Sequence, residues 1–501
     1  MKTILVNTGS NLGVTLVKLI ITFVMTPVFV HNLGNYDYGI WEIIGAVLGY
    51  MGLLDLGMKP TISRFAAKYH ANNEKDQLQT LYSTSLVFLG VIGILLLVFF
   101  VVWGLFWPHL LAEGASDVQK YSILLFIIGA QLFIVFPGFV AESFLEGFQK
   151  YYLKNNITIV NSIIGSTILY IYMTPENALI LLAAANAIGL SIKYIIYTGM
   201  LSRASFGGLK PIFRKASWVS FKETAVFGFK SLVQGIASRI EIGTDTIVIG
   251  AFLGPAMVPF YAIPANLISY IRNIGWTITH AFMPFFSSLE AQNKKDEMRS
   301  VYIMASRYVV AFLLPLCVGA SVVGGPFIGV WIGEEYLESA DLIILLLVIY
   351  TSLPFINPFS TRYLTATGEH GILAKLYPIA AAVNLGASII LVQYWGVVGV
   401  AVGSVIPVFF VVPYVMKRCC NLIGISVVRY IKEVIIPVAV PTLCMFIAVF
   451  LMRKYWPLTS YFKIIMAVGV GGFVYSVLFI MIGMNTNERS WLKTKLKARL
   501  P

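Results

Sequence analysis

Leu201-Ser202-Arg203-Ala204-Ser205-Phe206-Gly207-Gly208-Leu209-Lys210-Pro211-Ile212-Phe213-Arg214-Lys215-Ala216-Ser217-Trp218-Val219-Ser220-Phe221-Lys222-Glu223-Thr224 is the longest polar interruption in a chain that is otherwise a succession of apolar stretches. It carries five basic residues and one acid, the composition of a loop that stays on the cytoplasmic side of a membrane. Working outward, six stretches long enough to span a bilayer precede it: 9–31, 38–58, 81–107, 121–147, 157–173 and 178–200. Eight follow it: 225–251, 260–288, 301–331, 342–365, 372–393, 397–416, 433–452 and 461–482. Each is expected to be a helix, because backbone polar groups in lipid must be satisfied within their own segment. The 36 lysines and arginines fall on alternate loops: 24 on the N-terminus, the even-numbered loops and the C-terminal tail, and eight within spans. Only Lys120, Arg453, Lys454 and Lys463 lie on or beside odd-numbered loops, so both termini are expected in the cytoplasm.

Composition agrees with a polytopic membrane protein: 58% of residues are apolar, 12% are charged and the mean hydropathy is +0.82. A net charge of +13 would suggest nucleic acid in a soluble protein. Here it reports topology and contact with anionic lipid, including the tail residues Arg489, Lys493, Lys495, Lys497 and Arg499, and no nucleic-acid partner is expected. Cys317, Cys419, Cys420 and Cys444 lack metal-ligand spacing. Asn7, Ser10, Asn11 and Lys18 interrupt the first apolar run, so it reads as a retained span and not as a cleaved leader. No loop exceeds about 25 residues, too short for a soluble catalytic or nucleotide-binding domain. No phosphate-binding GxxxxGK[ST] motif or HExxH motif occurs. Transport is therefore favoured over enzymatic chemistry, and no cofactor or metal is expected.

The organisation follows: an N-terminal six-span lobe (1–200), the basic linker (201–224), a second six-span lobe (225–416), a pair of further spans (433–482) and a basic tail (483–501). The lobes echo each other. Leu33-Gly34 is followed by Tyr36-Asp37-Tyr38-Gly39, and Leu253-Gly254 by Phe260-Tyr261-Ala262. An even number of spans per lobe gives both the same orientation in the membrane, a parallel repeat.

Charges inside spans mark function, because each costs roughly 2.5–3.5 kcal/mol to place at the bilayer centre. Lys193, Lys230, Arg307, Arg362 and Lys375 lie near cytoplasmic ends, where long side chains reach the interface, and read first as topology anchors. Lys18, Arg239 and Arg272 lie near the middle of spans 1, 7 and 8. Three such cations attract an anion, such as a pyrophosphate or an acidic sugar, and repel a cationic drug. The alternative is that Arg239 or Arg272 pairs with Glu241 or Asp245 and locks helices together. Glu241 and Asp245 are four residues apart and share a helix face. With His280 they are the candidates for coupling to a proton or Na⁺ gradient. Asn7, Ser10, Asn11 and Thr15 form a polar stripe on span 1 that suits either a sugar-lined groove or helix–helix contact.

The chain resembles the multidrug/oligosaccharidyl-lipid/polysaccharide exporter superfamily, and within it the O-antigen and lipid-linked oligosaccharide flippases. The resemblance rests on the helix from Asn11 to Pro27, the turn Leu33-Gly34-Asn35-Tyr36-Asp37-Tyr38-Gly39-Ile40-Trp41, and Leu54-Asp55-Leu56-Gly57 followed by Arg64 and Ala66. Ser238-Arg239-Ile240-Glu241, Asp245 and Leu253-Gly254 carry it in the second half. It implies an all-α fold of about 14 transmembrane helices. Two six-helix lobes would be related by a pseudo-two-fold axis, form a V around a central cationic cavity and work by alternating access. It also implies an undecaprenyl-pyrophosphate-linked oligosaccharide as substrate, with Lys18, Arg239 and Arg272 as its contacts. The bacterial inner membrane would be the location, and polysaccharide polymerase or assembly proteins the partners. A peptidoglycan-precursor flippase, a cation/drug antiporter, and a membrane-embedded polymerase or assembly scaffold are the alternatives. The short odd-numbered loops argue against a polymerase.

Overall fold

A computed structural model describes residues 2–107, 115–369, 371–484 and 488–490. Among these residues there is no strand; the chain is built from α-helices joined by short turns. It divides into two compact units, Met1–Gly243 and Thr244–Pro501.

The first unit contains α1 (Lys2–Met51), α2 (Met58–Ala71), α3 (Lys75–Phe106), α4 (Ala115–Gly147), α5 (Tyr151–Tyr172), α6 (Ala178–Leu201) and most of α7 (Trp218–Leu253). At 50 residues α1 would reach about 75 Å if straight, more than twice a bilayer's hydrocarbon thickness. It does not run straight: Gly34 adopts φ 65°, ψ 175°, a conformation essentially confined to glycine, and separates the first two expected spans. Beside this turn, Asp37 accepts hydrogen bonds from Lys120 Nζ (3.0 Å) and the Tyr121 hydroxyl (2.9 Å), tying the turn to α4. Glycines let α4 pack closely on its neighbours. Gly93 faces the Phe133 backbone, Gly104 faces the Phe126 ring and Gly138 faces the Tyr194 ring. The start of α7 packs within this unit. Ser217 donates its backbone N–H to Thr84 Oγ1 (3.0 Å), Phe221 lies 4.6 Å from Phe88, and Gly228 abuts the Leu56 carbonyl. The division between units therefore falls inside α7 and beyond the 201–224 loop.

The second unit continues from α7 through α8 (Val258–His280), α9 (Met283–Ala291), α10 (Lys295–Trp331), α11 (Leu337–Phe355), α12 (Ser360–Ala366) and α13 (Gly371–Ile423). It ends with α14 (Val427–Tyr430), α15 (Ile436–Tyr455) and α16 (Tyr461–Leu478). The 53-residue α13 is folded at Gly396 (φ 57°, ψ −138°), which separates expected spans 11 and 12. α15 and α16 close on α10 through Val322, Val323, Met445, Val449, Leu458, Ile464 and Ala467. Arg453 clamps this packing by donating to the Asp341 carboxylate and to the Val322 carbonyl (2.8 Å).

Nine helices among the described residues are long and apolar enough to cross a membrane by length and composition. Two of them, α1 and α13, contain two expected spans each. α5 and α8 fall outside this apolar set, and α7 contributes the shorter apolar stretch Gly243–Leu253. The fold is that of an all-α, multi-pass membrane protein.

The internal echo is stronger than one shared turn. Gly254 (φ 85°, ψ 162°) repeats the backbone conformation of Gly34. Asn73 (φ 58°) and Asn293 (φ 53°) are both left-handed and both lead into a helix, α3 and α10, that begins two residues later. Around them the hydrogen bonds match: Asn73 to His70 and Glu74 to Tyr69 in one unit, Asn293 to Glu290 and Lys294 to Leu289 in the other. The next buried tyrosines, Tyr82 and Tyr302, both have 0% exposure. Each pair is offset by 220 residues (254 − 34, 293 − 73, 302 − 82). The same offset aligns Ala71, Lys75 and Asp76 with Ala291, Lys295 and Asp296. The two units thus repeat one element order and one set of turns.

Candidate functional site

In the first unit, charge gathers where α2, α4, α5 and α6 meet. Glu142 and Glu146 are one helical turn apart on the last turns of α4 and so share a face. α2 brings Lys59, whose Nζ lies 3.0 Å from Glu142 Oε2. The first turn of α5 brings Lys154, 2.6 Å from Glu146 and 3.7 Å from Glu142. The Tyr194 hydroxyl on α6 donates to Glu142 Oε2 (3.2 Å). The neighbouring Lys193 forms no ion pair among the described residues. Its ammonium stands 4.2 Å from the Tyr194 ring centroid and 5.9 Å from that of Tyr197, a cation–π arrangement.

Lys193 is within electrostatic reach of Glu142, Lys59, Lys18 and Lys154. Lys18 is exposed on α1 and likewise has no ion pair among the described residues. Lys59, Lys154 and Lys193 thus gather around Glu142, with Lys18 near enough to act on Lys193, and positive charge is in excess. Such a cluster attracts anions and offers N–H donors for charge-assisted hydrogen bonds to phosphate oxygens. Glu142 offsets and orients Lys59 and Lys154.

The polar stripe of α1 resolves toward helix contact. Asn155 on α5 donates to Ser10 Oγ (2.9 Å) and Asn11 Oδ1 (2.6 Å), and Asn7 Nδ2 donates to the Gln149 carbonyl (3.1 Å). Thr15 bonds back to the Asn11 carbonyl of its own helix (3.0 Å).

The second unit carries a different polar centre. Asp245, buried on α7, accepts a hydrogen bond from the Tyr261 hydroxyl on α8 and another from Ser404 Oγ on α13 (2.9 Å). Ser404 in turn accepts from Asn384 Nδ2 (2.9 Å). Asp245 Oδ1 is buried with no hydrogen-bond partner among the described residues. Arg272, three turns further along α8 than Tyr261, exerts its charge on Asp245 without forming an ion pair with it. Its guanidinium sits 5.6 Å from the Trp276 ring centroid, and its Nε has no partner among the described residues. The simple locking pair between Arg272 and Asp245 is thus not formed. His280 is exposed at the end of α8 near Arg362 and takes no part in this network.

Arg239 and Glu241 lie on α7, but their side chains are outside the described residues, as are Lys230 and the tail residues Lys493, Lys495, Lys497 and Arg499. Among the described residues no group of His, Cys, Asp and Glu side chains could hold a metal ion.

Sequence reasoning singled out Lys18, Arg272 and Asp245, and read Lys193 first as an anchor. It passed over Glu142, Lys59 and Lys154. The available signal was the Glu142/Glu146 pair at helical spacing closing an apolar span, followed within eight residues by Lys154. Tyr261, Ser404 and Asn384 gave no comparable signal, because hydroxyl and amide side chains are ordinary in membrane helices.

Comparison with known proteins agrees with this architecture. The chain is 23% identical over 406 residues to the Shigella flexneri protein named "Putative O-antigen transporter", covering 78% of this chain and 92% of that one. It is 22% identical over 382 residues to the Haloferax volcanii protein named "Probable low-salt glycan biosynthesis flippase Agl15", covering 75% of each. Its fold is similar to that of the lipid II flippase MurJ in an inward closed conformation. The TM-score is 0.72 at 14% identity, over 95% of this chain and 98% of that one. The sequence family described as polysaccharide biosynthesis protein matches residues 4–290, more than half of the chain, and the chain belongs to that family.

Proposed function

We propose that this membrane protein is a flippase that moves undecaprenyl-pyrophosphate-linked oligosaccharide units from the cytoplasmic to the periplasmic leaflet of a bacterial inner membrane, with both of its termini in the cytoplasm. The observation that carries this reading is the lysine excess around Glu142. Lys18 and Lys193 form no direct ion pair among the described residues, and a diphosphate supplies further negative charge. Lys59 and Lys154 exchange their carboxylate for phosphate as the anion enters. Arg272 on α8 and Arg239 on α7 are further basic groups for phosphate or acidic sugar. A net-positive site disfavours a cationic drug. The relatives named for O-antigen transport and glycan flipping support the substrate class. The delivered units would feed polymerase or assembly proteins beyond the membrane.

The test is leaflet exchange in sealed proteoliposomes with a fluorescent polyprenyl-diphosphate oligosaccharide. Lys193→Ala and Lys18→Ala are each expected to slow translocation about tenfold, the equivalent of losing one charge-assisted contact of roughly 1.4 kcal/mol. Arg239→Ala and Arg272→Ala are measured in the same assay. Wild-type rates in the Lys18/Lys193 double variant, or dye extrusion without lipid movement, would refute the reading.

Energy is proposed to enter through a proton or Na⁺ gradient acting at Asp245, with Glu241 and His280 as secondary candidates. Asp245→Asn keeps the hydrogen bonds from Tyr261 and Ser404 but removes the charge. Translocation in this variant is expected to stop responding to an imposed gradient while passive exchange continues. A preserved gradient response would remove Asp245 from coupling.

A further inference from the structure

The loop that joins α6 to α7 does more than carry charge. Its backbone is fixed against α3. Lys210 N–H donates to Gln79 Oε1 (3.3 Å), and Gln79 Nε2 donates back to the Lys210 carbonyl. Ile212 N–H donates to Ser83 Oγ (3.4 Å), and Lys215 pairs with Asp76 (3.0 Å). Leu209 is buried at 2% exposure and its N–H returns to the Leu201 carbonyl (2.9 Å). A loop whose only task was to hold positive charge on one side of a membrane would need none of these bonds.

What the fixed backbone presents outward is apolar. Phe213 is 69% exposed and Trp218 is 75% exposed, with Ile212 and Val219 beside them. Trp218 is held at 4.9 Å from Phe221, so its exposed position is ordered. The same surface carries Arg203, Lys210, Arg214, Lys215 and Lys222, all exposed, against the single exposed acid Glu223 of the loop. Exposed aromatic groups interspersed with basic ones, next to the ends of two membrane spans, match the headgroup region of a bilayer. A soluble protein partner would have no reason to require both ends of the loop to enter the membrane at Leu201 and Trp218.

We infer that residues 203–222 form a built membrane-surface anchor that inserts Phe213 and Trp218 at the headgroup level and binds anionic lipid through Lys210, Arg214 and Lys222. Basic side chains near an anionic surface are drawn to it, so three give selectivity for anionic over neutral lipid that salt weakens.

The experiment uses the full chain in liposomes of phosphatidylcholine alone or of phosphatidylcholine with phosphatidylglycerol. An environment-sensitive dye is attached at Phe213→Cys, and separately at Trp218→Cys, with the labelled parent chain as control for its four native cysteines. The expected result is blue-shifted emission quenched at least about twofold more strongly by headgroup-proximal brominated lipid in the anionic vesicles. The difference should vanish in the Lys210→Gln, Arg214→Gln, Lys222→Gln triple variant and at high salt. Water-like emission open to aqueous iodide in both vesicles would overturn the proposal and leave the face for a soluble partner. Equal insertion in both vesicles would overturn its selectivity for anionic lipid.

Discussion

Glu142→Ala is expected to lower the unfolding free energy by about 2–3 kcal/mol and to abolish translocation. Breaking a buried ion pair by removing one partner leaves the other charge uncompensated, which costs roughly 3–5 kcal/mol when both groups are fully enclosed; the partial exposure of Lys59 reduces that figure. Three cations depend on this one carboxylate: Lys59 and Lys154 by direct contact and Lys193 by proximity. The Tyr194 hydroxyl also loses its acceptor. Thermal unfolding in detergent, followed by scanning fluorimetry, measures the effect. The Glu142→Ala, Lys59→Ala double variant should recover part of the loss, because it removes one of the stranded charges. An unchanged midpoint in the single variant would show that the lysines do not rely on Glu142.

Gly34→Ala and Gly254→Ala are expected to destabilise the protein by about 2 kcal/mol each, and by similar amounts. At both positions a Cβ would meet nothing within 4 Å, so crowding is not the cause. The cause is the backbone: φ 65° with ψ 175°, and φ 85° with ψ 162°, are accessible to glycine and strained for any L side chain. At Gly34 the turn is also what lets a 50-residue helix re-enter the membrane, so relaxing it should misplace Asp37 relative to Lys120 and Tyr121. Denaturant midpoints of the two single variants test the prediction. A neutral Gly34→Ala would mean that this turn opens without strain.

Much of this was legible in the sequence, for physical reasons that can be named. The spans showed because lipid imposes length and apolarity, and the Leu-Gly turns because a chain reversing between spans favours a glycine. The self-similarity of Ala71–Tyr82 with Ala291–Tyr302 was present in the sequence too, but it lies in polar turns between spans, where hydropathy carries no signal. Lys18, Arg272 and Asp245 stood out because a central charge is costly. Lys193 looked like an anchor because its depth permits snorkelling; only the fold shows Tyr194 and Tyr197 beneath it and Glu142 alongside. The meeting of Lys59, Glu142 and Lys154 is a tertiary event, joining residues 83 and 12 positions apart (142 − 59, 154 − 142), and the local spacing of Glu142, Glu146 and Lys154 signals only part of it.

The shared offset of the segments from Gly34 to Tyr82 and from Gly254 to Tyr302 also says something about ancestry. Asp245 of the second copy corresponds to Met25 in the first, an apolar residue. A duplicated scaffold kept its turns and buried tyrosines and let its polar centres drift apart. One copy came to hold the lysines around Glu142 and the other a secluded acid. The two copies are no longer interchangeable, and a protein assembled from two identical first halves would inherit the lysines twice and the acid not at all.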